Sequence, residues 1–313
     1  MDNLLYINLA IFVLSIKVSN GMDAVITYVD GLDPVWQKEY ERVTKIPVMD
    51  KRFRDWGTLK YLLRGIETKM PFVKNVYLVV SHESQVPQWA DTAQLKIVLH
   101  RDIIPQAYLP TFNSTTIEMF LHKIPGLDEQ FLYFNDDMYP VMDCKETDFF
   151  RGDKIVFGFS HHCFAFDMYK KQCRSGDRLA RKLLNLPSSW HFVRPQHTCT
   201  PMLKSACEYV FDHAQDEILH SLSALREDKN FNQYIFPDYL YYKGQAIREK
   251  QSKKHFSVAI ATPNSIRKFL HNPTRKMVCI NDVKLSKQKY DAMRTAILTS
   301  FDYLFPQKSR FEL

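Results

Sequence analysis

The sequence has little glycine, with 9 glycines among 313 residues, whereas soluble proteins average about 7%. It contains neither the G-x-G-x-x-G pattern of dinucleotide-binding folds nor the G-x-x-x-x-G-K-[ST] loop of P-loop enzymes. Both motifs need glycine because the backbone must approach a phosphate closely. The sequence therefore lacks the two commonest loops that cradle phosphate groups.

The six cysteines of the chain form no recognisable motif. None of the six stands in a C-x-x-C pair, and no spacing is typical of a zinc ribbon. Scattered cysteines of this kind are typical of a reducing compartment. We therefore expect six reduced thiols, located at positions 144, 163, 173, 199, 207 and 279.

The chain also has no apolar run of the roughly 20 residues that a membrane-spanning helix needs. The longest candidate, Leu4–Val18, has 15 residues and lacks the basic start and cleavage site of a signal peptide. Two interpretations of residues 1–21 are favoured over secretion. Either translation starts at Met22, directly before the apolar run AVITYV, or the segment is an interfacial anchor.

The overall composition is that of a soluble globular protein, with 45% hydrophobic and 25% charged residues. Charge is unevenly distributed along the chain. Residues 1–150 carry 15 basic and 20 acidic side chains, whereas residues 151–313 carry 27 and 15. An acidic half suits a divalent cation, and a basic half suits a phosphorylated ligand or an anionic membrane, although surface charge is often simply uneven.

Buried strands and amphipathic helices alternate in the first half of the chain. The periodicity predicts strands over 24–29, 76–80, 96–99 and 131–134, and helices over 58–69 and around 114–124. This alternation predicts an α/β fold with a mostly parallel, Rossmann-like sheet of the nucleotide-sugar-binding type. We divide the chain into an apolar lead (1–21), an α/β core (22–160) and a more helical, basic part (161–313) that completes the site.

Acidic residues follow two of the predicted strands directly. Asp136 and Asp137 follow the strand 131–134, and Asp30 and Asp33 follow the strand 24–29. Because ligands bind beyond the carboxyl ends of parallel strands, both clusters are expected at one edge of the sheet. Carboxylates there suit Mg²⁺ or Mn²⁺, whereas turn formation is the ordinary alternative, most of all for the D-G-x-D-P segment.

Basic residues and one histidine supply further candidates. Arg54 precedes the first predicted helix, where it could help to bind phosphate, and Arg64 lies on the less apolar side of that helix. Arg226 is an isolated basic residue of the second half. His197, in a loop bounded by prolines, is a candidate general base or transient nucleophile. An exposed basic face and a hydrogen-bonded histidine are the ordinary alternatives.

Together these residues resemble the Stealth family of capsular and exopolysaccharide phosphotransferases, which is related to N-acetylglucosamine-1-phosphotransferase. Four blocks match in order, between Asp23 and Asp282, with Tyr28 standing where the family usually has tryptophan. The matching blocks are 23–36; 52–55 through 64–67, 109–118 and 133–138; 194–197 through 201–204; and 276–282.

The resemblance implies transfer of a sugar-1-phosphate from a nucleotide-sugar, a UDP-hexose or UDP-N-acetylhexosamine, to a glycan hydroxyl. The products are a phosphodiester and UMP. Such chemistry depends mainly on positioning and charge neutralisation. The implied roles are catalysis for Asp30, Asp136, His197 and Arg226, binding of Mg²⁺ or Mn²⁺ for Asp136 and Asp137, and substrate binding for Asp33, Arg54, Arg64, Asn113, Glu118, Lys204 and Asp282.

The resemblance also implies partners and a location. These are a nucleotide-sugar donor, a glycan or lipid-linked oligosaccharide acceptor and other polysaccharide-assembly enzymes, with no nucleic acid, at the cytoplasmic face of the membrane. Two other functions are considered. A metal-dependent glycosyltransferase would release UDP instead of UMP, and a non-catalytic glycan- or nucleic-acid-binding module would leave the acidic clusters unexplained.

Overall fold

A computed structural model describes residues 21–47, 55–283 and 285–313. The predictions for residues 1–20 and for Arg54 lie outside the described residues. Within the described ranges, no helix is both long and apolar enough to cross a membrane.

The strands carry mostly apolar, β-branched or aromatic residues, as their propensities require. Their bounds are β1 Met22–Thr27, β2 Val73–Val80, β3 Leu95–Leu99, β4 Gln130–Asn135, β5 Met138–Pro140, β6 Phe150–Arg151, β7 Lys154–Phe157, β8 Phe159–His162, β9 Phe192–Pro195, β10 Thr200–Leu203, β11 Ala246–Arg248, β12 Lys253–Ser257 and β13 Met277–Asn281.

The helices are mostly short and connect or cover the strands. Their bounds are α1 Pro34–Thr44, α2 Leu59–Lys69, α3 His100–Ile103, α4 Ser114–Glu118, α5 Met168–Leu183, α6 Lys204–His213, α7 Gln215–Ser221, α8 Ile235–Tyr242, α9 Pro263–His271 and α10 Lys287–Leu304.

The central sheet has five strands in the order β10-β4-β1-β2-β3. Strand β1 pairs in parallel with β4 and with β2, and β2 pairs in parallel with β3. Strand β10 pairs antiparallel with β4 at one edge of the sheet. Thr27 of β1 lies opposite Asn135 of β4, so these two strands end at the same edge of the sheet. The predicted α/β fold with a mostly parallel sheet is confirmed.

A second, three-stranded sheet in the order β12-β13-β5 continues from that edge. Cys279 of β13 pairs with Met138 of β5, and the Ile280 amide donates to the Asp137 carbonyl at 2.9 Å. This pairing brings the end of β13 beside the residues that follow β4. Two acidic segments far apart in the sequence therefore meet at one place.

One large hydrophobic cluster includes residues from both halves of the chain, from Met22 to Phe311. Helix α2 packs closely on β5, and Gly65 permits this contact. A Cβ atom at Gly65 would lie 2.6 Å from the Pro140 carbonyl oxygen, closer than real Cβ atoms approach other atoms. The glycine thus sets the distance between this helix and the second sheet.

Some predicted elements differ in detail from the structure. The helix capped by Asn113 ends at Glu118, and a separate 3-10 turn follows at Leu121–Lys123. The aromatic stretch near residue 235 is the helix α8, whose apolar residues are buried rather than arranged on one stripe. All six cysteines are free thiols, as the sequence indicates.

Candidate active site

A cavity of about 360 Å³ opens at the carboxyl edge of the central sheet, within the size range of ligand sites in proteins. Residues that follow β1, β4 and β13 line it, together with the loop between β9 and β10. The polar lining residues include Asp55, Asp136, Asp137, His197, Arg226 and Asp282. The structure therefore brings five of the predicted site residues, all except Asp55, to one cavity.

Asp136 and Asp137 are adjacent but differ in their electrostatic environment. Burial, and then the neighbouring charge of Asp137, raises the pKa of Asp136 to about 7. Burial would also raise the pKa of Asp137, but hydrogen bonds from His197 and Cys279 outweigh it and hold that pKa below its ordinary value. The pKa values of these two adjacent carboxyl groups are therefore shifted in opposite directions.

His197 reaches the Asp137 carboxylate from the opposite side of the cavity. Its Nε2 atom lies 3.6 Å from Asp137 Oδ2, and its Nδ1 atom lies 3.3 Å from the Tyr234 hydroxyl oxygen. Lys253 donates to the His197 carbonyl oxygen at 2.6 Å, which fixes the loop. A carboxylate beside one ring nitrogen orients an imidazole.

Cys279 is a member of this constellation that the sequence analysis did not select. Its thiol donates to Asp137 Oδ2 at 3.3 Å, and burial keeps the pKa of the thiol far above its ordinary value. One ligand atom each of Asp137, His197 and Cys279 lies within 4.8 Å of the others. The motif Cys-Ile-Asn-Asp at 279–282 was visible, but its pairing with Asp137 depends on contact between β13 and β5.

Arg226 brings a positive charge to the same cavity. Its guanidinium Nη2 donates to the Ser114 hydroxyl oxygen at the start of α4. Behind it, the buried Glu118 accepts from the Gln233 amide at 2.8 Å and lies 3.4 Å from the Tyr133 hydroxyl. Burial raises the pKa of Glu118 to about 7, and the positive charge of Arg226 opposes this rise.

The predicted residues after β1 lie beside the cavity and build its rim. Asp33 caps α1 by accepting from the Val35 amide at 3.0 Å, and its other oxygen accepts from Ser84 and Gln85. Asp30 accepts from the Leu32 amide at 2.8 Å. These contacts are the turn chemistry that the D-G-x-D-P segment indicated, and neither carboxylate is among the lining residues.

Asn113 also has a local structural contact. Its side-chain oxygen accepts from the Thr115 amide at 3.1 Å, and its amide nitrogen donates to Asn230 Oδ1 at 3.0 Å. It ties α4 to the segment that follows α7 and thereby positions Ser114 and Arg226. Asn113 and Glu118 both lie behind the cavity wall rather than on its surface.

Arg64 and Lys204 lie away from the cavity. Arg64 makes two hydrogen bonds to the Glu312 carboxylate, at 2.7 and 2.6 Å, and a third to the Phe305 carbonyl. Lys204 starts α6 and lies 3.9 Å from Glu208. The structure thus gives Arg64 a contact with the C-terminal segment, because the less apolar side of α2 faces that segment rather than solvent or ligand.

The oxygen atoms of the cavity fit a hard divalent cation. Asp137 Oδ1 and Asn135 Oδ1 are buried and have no hydrogen-bond partner among the described residues. Buried oxygens of this kind are unusual unless an ion or water satisfies them, and carboxylate and amide oxygens are the ligands that Mg²⁺ and Mn²⁺ prefer. Cys279 fits such an ion poorly, and its protonated thiol acts instead as a donor to Asp137.

These features define an α/β enzyme whose site combines clustered carboxylates, an oriented histidine and an arginine. The comparisons with known proteins agree with that class. The family model "Stealth protein CR2, conserved region 2" matches residues 52–157. A capsular polysaccharide phosphotransferase of Actinobacillus suis is 31% identical over 294 residues, covering 86% of this chain and 78% of that protein.

A second relative, the capsular polysaccharide phosphotransferase WcwK of Streptococcus pneumoniae, is 31% identical and covers 94% of this chain and 100% of its own. The chain therefore belongs to the Stealth family of phosphotransferases, enzymes that transfer phosphorus-containing groups. Among solved structures, a galactosyltransferase LgtC complex aligns with 92% of this chain and 96% of its own, at 11% identity and a TM-score of 0.43. A likeness that low assigns no activity to this chain.

Proposed function

We propose that this chain transfers a sugar-1-phosphate from a nucleotide-sugar to a glycan hydroxyl, forming a phosphodiester and releasing a nucleoside monophosphate. The observation that carries the proposal is the convergence of Asp137, His197 and Arg226 on one cavity. The relatives named as capsular polysaccharide phosphotransferases support the same chemistry. The donor is a UDP-hexose or a UDP-N-acetylhexosamine, as the family resemblance implies.

In this reaction the acceptor hydroxyl oxygen attacks the phosphorus atom that bears the sugar. A new oxygen–phosphorus bond forms, and the bond from that phosphorus to the bridging oxygen of the diphosphate breaks, so that UMP leaves with the electron pair. His197 accepts the proton of the acceptor hydroxyl, and ionised Asp137 stabilises the imidazolium that results. Arg226 stabilises the negative charge on the phosphoryl oxygens.

Asp136 and Asp137 would hold Mg²⁺ or Mn²⁺, which when bound would neutralise the diphosphate charge. Asp137 suits both of its roles because its two oxygens are used differently. Oδ2 faces His197 and Cys279, whereas Oδ1 has no hydrogen-bond partner among the described residues. Asp30 and Asp33 support the rim of the site through the turn that they stabilise.

We also propose the setting of the reaction. The acceptor is a glycan or a lipid-linked oligosaccharide, and the enzyme works with other polysaccharide-assembly enzymes at the cytoplasmic face of the membrane. We propose no nucleic-acid partner.

The test is the identity of the released nucleotide. The purified chain is incubated with single UDP-sugars, Mg²⁺ or Mn²⁺ and a glycan acceptor, and UMP is separated from UDP by chromatography. We expect UMP that depends on both the acceptor and the metal. Release of UDP would instead identify a glycosyltransferase and overturn the proposal.

A covalent role for His197 can be tested separately with a donor labelled with ³²P in the phosphate attached to the sugar. With a general base, no label stays on the protein when the acceptor is withheld. Acid-labile, alkali-stable label on the wild-type chain, absent from His197→Ala, would instead identify a phosphohistidine intermediate.

A further inference from the structure

Three aromatic side chains stand exposed together at one end of the β8–β9 ribbon. Trp190 is 91% exposed, Phe166 is 83% exposed and Phe164 is 67% exposed. The rings of Phe164 and Phe166 stack, with centroids 5.6 Å apart and planes inclined by 9°. We call these three residues the aromatic tip. Large aromatic side chains clustered in solvent are unfavourable, and such a cluster marks an interaction surface.

The backbone topology places the three residues at the same end of the ribbon. Strand β8 is antiparallel to β9, and His162 pairs with Phe192 at the end of the ribbon. The segment that follows His162 carries both phenylalanines, and the segment that precedes Phe192 carries Trp190. The two loops therefore leave the ribbon at the same end, and α5 connects them.

Helix α5 presents a basic face next to the aromatic tip. Its buried residues, among them Cys173, Gly176 and Ala180, occupy one side of the helix. The basic residues occupy the opposite side: Lys170, Lys171, Arg174, Arg178, Arg181 and Lys182. Lysine 171 and Lys182 pair with carboxylates of other elements, at Asp228 and Glu217.

Two of these basic side chains form no ion pair with a described residue. Arg174 and Arg178 have no carboxylate within ion-pair distance among the described residues. Over residues 161–194 the sequence has seven lysines and arginines against two acidic residues, a net charge of +5. The aromatic tip thus stands beside a helix face that stays positive, although Asp228 and Glu217 neutralise two of its lysines.

We propose that the aromatic tip and the basic face of α5 form a docking surface for an anionic lipid bilayer. Aromatic rings are favourable at the headgroup level, and lysine and arginine beside them are attracted to anionic headgroups. Charge complementarity selects this partner over a second copy of the chain, because a symmetric dimer would bring two basic faces together. A bilayer engages both parts of this surface at once, because it offers anionic headgroups beside an interfacial layer that favours aromatic rings.

The proposed docking has a consequence for the active site. The strand β9 runs from the aromatic tip towards His197, and the seven residue steps from Trp190 to His197, at about 3.3 Å each, span at most roughly 23 Å. Docking would therefore hold the cavity close to the bilayer surface. This consequence, unlike the docking itself, rests on the proposed function, because a lipid-linked acceptor would present its glycan at that height.

The test is sedimentation of the full chain with vesicles, in the absence of substrates. Vesicles of phosphatidylcholine alone are compared with vesicles that contain 30 mol% phosphatidylglycerol. We expect binding to the anionic vesicles that weakens as salt rises from 0.05 to 0.5 M, as screening requires. Phe164→Ser/Phe166→Ser/Trp190→Ser and Arg174→Glu/Arg178→Glu should each weaken binding at least about tenfold.

Matched controls distinguish vesicle binding through this surface from nonspecific adsorption of the protein to vesicles. Ile260→Ser removes an apolar side chain that is 86% exposed elsewhere, and Arg267→Glu/Lys268→Glu reverses two exposed charges on α9. Both controls should bind as the wild type does, and all variants should keep its far-UV circular dichroism and Tm. Every variant retains residues 1–20, so differences between variants isolate the docking surface.

Three results would overturn the proposal. The first is that the wild-type chain does not bind anionic vesicles. The second is that the triple aromatic variant binds as tightly as the wild type. The third is that the chain binds dextran sulfate or forms a dimer through the aromatic tip, as shown by sedimentation velocity, without binding vesicles. None of these measurements depends on catalysis, so failure here and failure of the proposed function are distinguishable.

Discussion

His197 Nε2 lies 3.6 Å from Asp137 Oδ2, and this contact joins two walls of the cavity that come from different parts of the chain. Asp137 follows a strand of the parallel sheet, whereas His197 lies in the loop before its antiparallel edge strand. The contact holds in place a histidine that we propose as the proton acceptor. Several of the predictions below test this arrangement.

His197→Ala should lower the rate of UMP release at least about 100-fold, because it removes the proposed proton acceptor. The side chain is partly exposed, so the Tm should change little. The exposed His220, which contacts the backbone of its own helix, supplies the control variant His220→Ala with normal turnover. Near-normal turnover of His197→Ala would remove it from the catalytic residues.

Asp137→Asn should weaken Mn²⁺ binding at least about tenfold, since it removes the charge of a carboxylate whose buried Oδ1 has no hydrogen-bond partner in the described part of the chain. Electron paramagnetic resonance titration of free Mn²⁺ measures the affinity without substrate. Asp143→Asn, at a side chain that is 84% exposed, should leave the affinity unchanged. Equal affinity of the Asp137 variant and the wild type would place the ion elsewhere.

Arg64→Met should destabilise the fold by about 3 kcal/mol, because it leaves the buried Glu312 carboxylate without its partner. Turnover at a temperature where the variant is folded should be retained, since Arg64 lies outside the cavity lining. Lys182→Met breaks an exposed ion pair and should cost less than about 1 kcal/mol. Urea unfolding measures both. A folded Arg64 variant that has lost activity would restore its predicted role in diphosphate binding.

The same ion pair predicts a pH dependence. Hydrogen bonds from Arg64 and Ser309 outweigh burial and hold the pKa of Glu312 below its ordinary value. A depressed carboxyl pKa stabilises the fold fully above the ordinary pKa and loses that contribution as pH falls through the folded value. The difference in unfolding free energy between wild type and Glu312→Gln should therefore shrink as pH falls below about 4.5. A difference that stays constant down to pH 3 would contradict this assignment.

Glu118 should give the unfolding free energy the opposite dependence on pH. Its pKa is raised from 4.5 to about 7 by burial, so the unfolded chain releases this proton first as pH rises. Its contribution to stability is present below pH 4.5 and is lost progressively up to about pH 7. Glu118→Gln should flatten the pH dependence of the unfolding free energy between pH 5 and 8. An unchanged slope in urea titrations would show that Glu118 does not titrate in this range.

Gly65→Ala should destabilise the protein, although the same change stabilises an ordinary helix by about 1 kcal/mol. The new methyl group would meet the Pro140 backbone oxygen at 2.6 Å, and backbone cannot move aside as a flexible side chain can. Helix α2 and β5 would have to separate. A Tm equal to or above that of the wild type would show that this contact is not close.

Much of the fold and part of the site could be predicted from the sequence. The alternation of apolar strands and amphipathic helices predicted the parallel sheet, because burial on both faces requires continuous apolar strands. Asp136 and Asp137 were located because residues after parallel strands share one edge. The helix that begins at Ser114 was also predicted, and its cap at Asn113 is a contact between residues close in sequence.

The remaining assignments needed contacts between distant segments. No local pattern shows that Cys279 donates to Asp137, because that hydrogen bond depends on the pairing of β13 with β5. Likewise, the helical periodicity indicated that Arg64 lies on the less apolar side of α2. It did not show that Glu312, near the end of the chain, faces Arg64. Periodicity is a local property, so the residue pattern was enough to predict the parallel strands and the acidic edge of the sheet. Which side chains meet at that edge depends on packing between segments far apart in the chain, and these contacts became visible only in the folded protein.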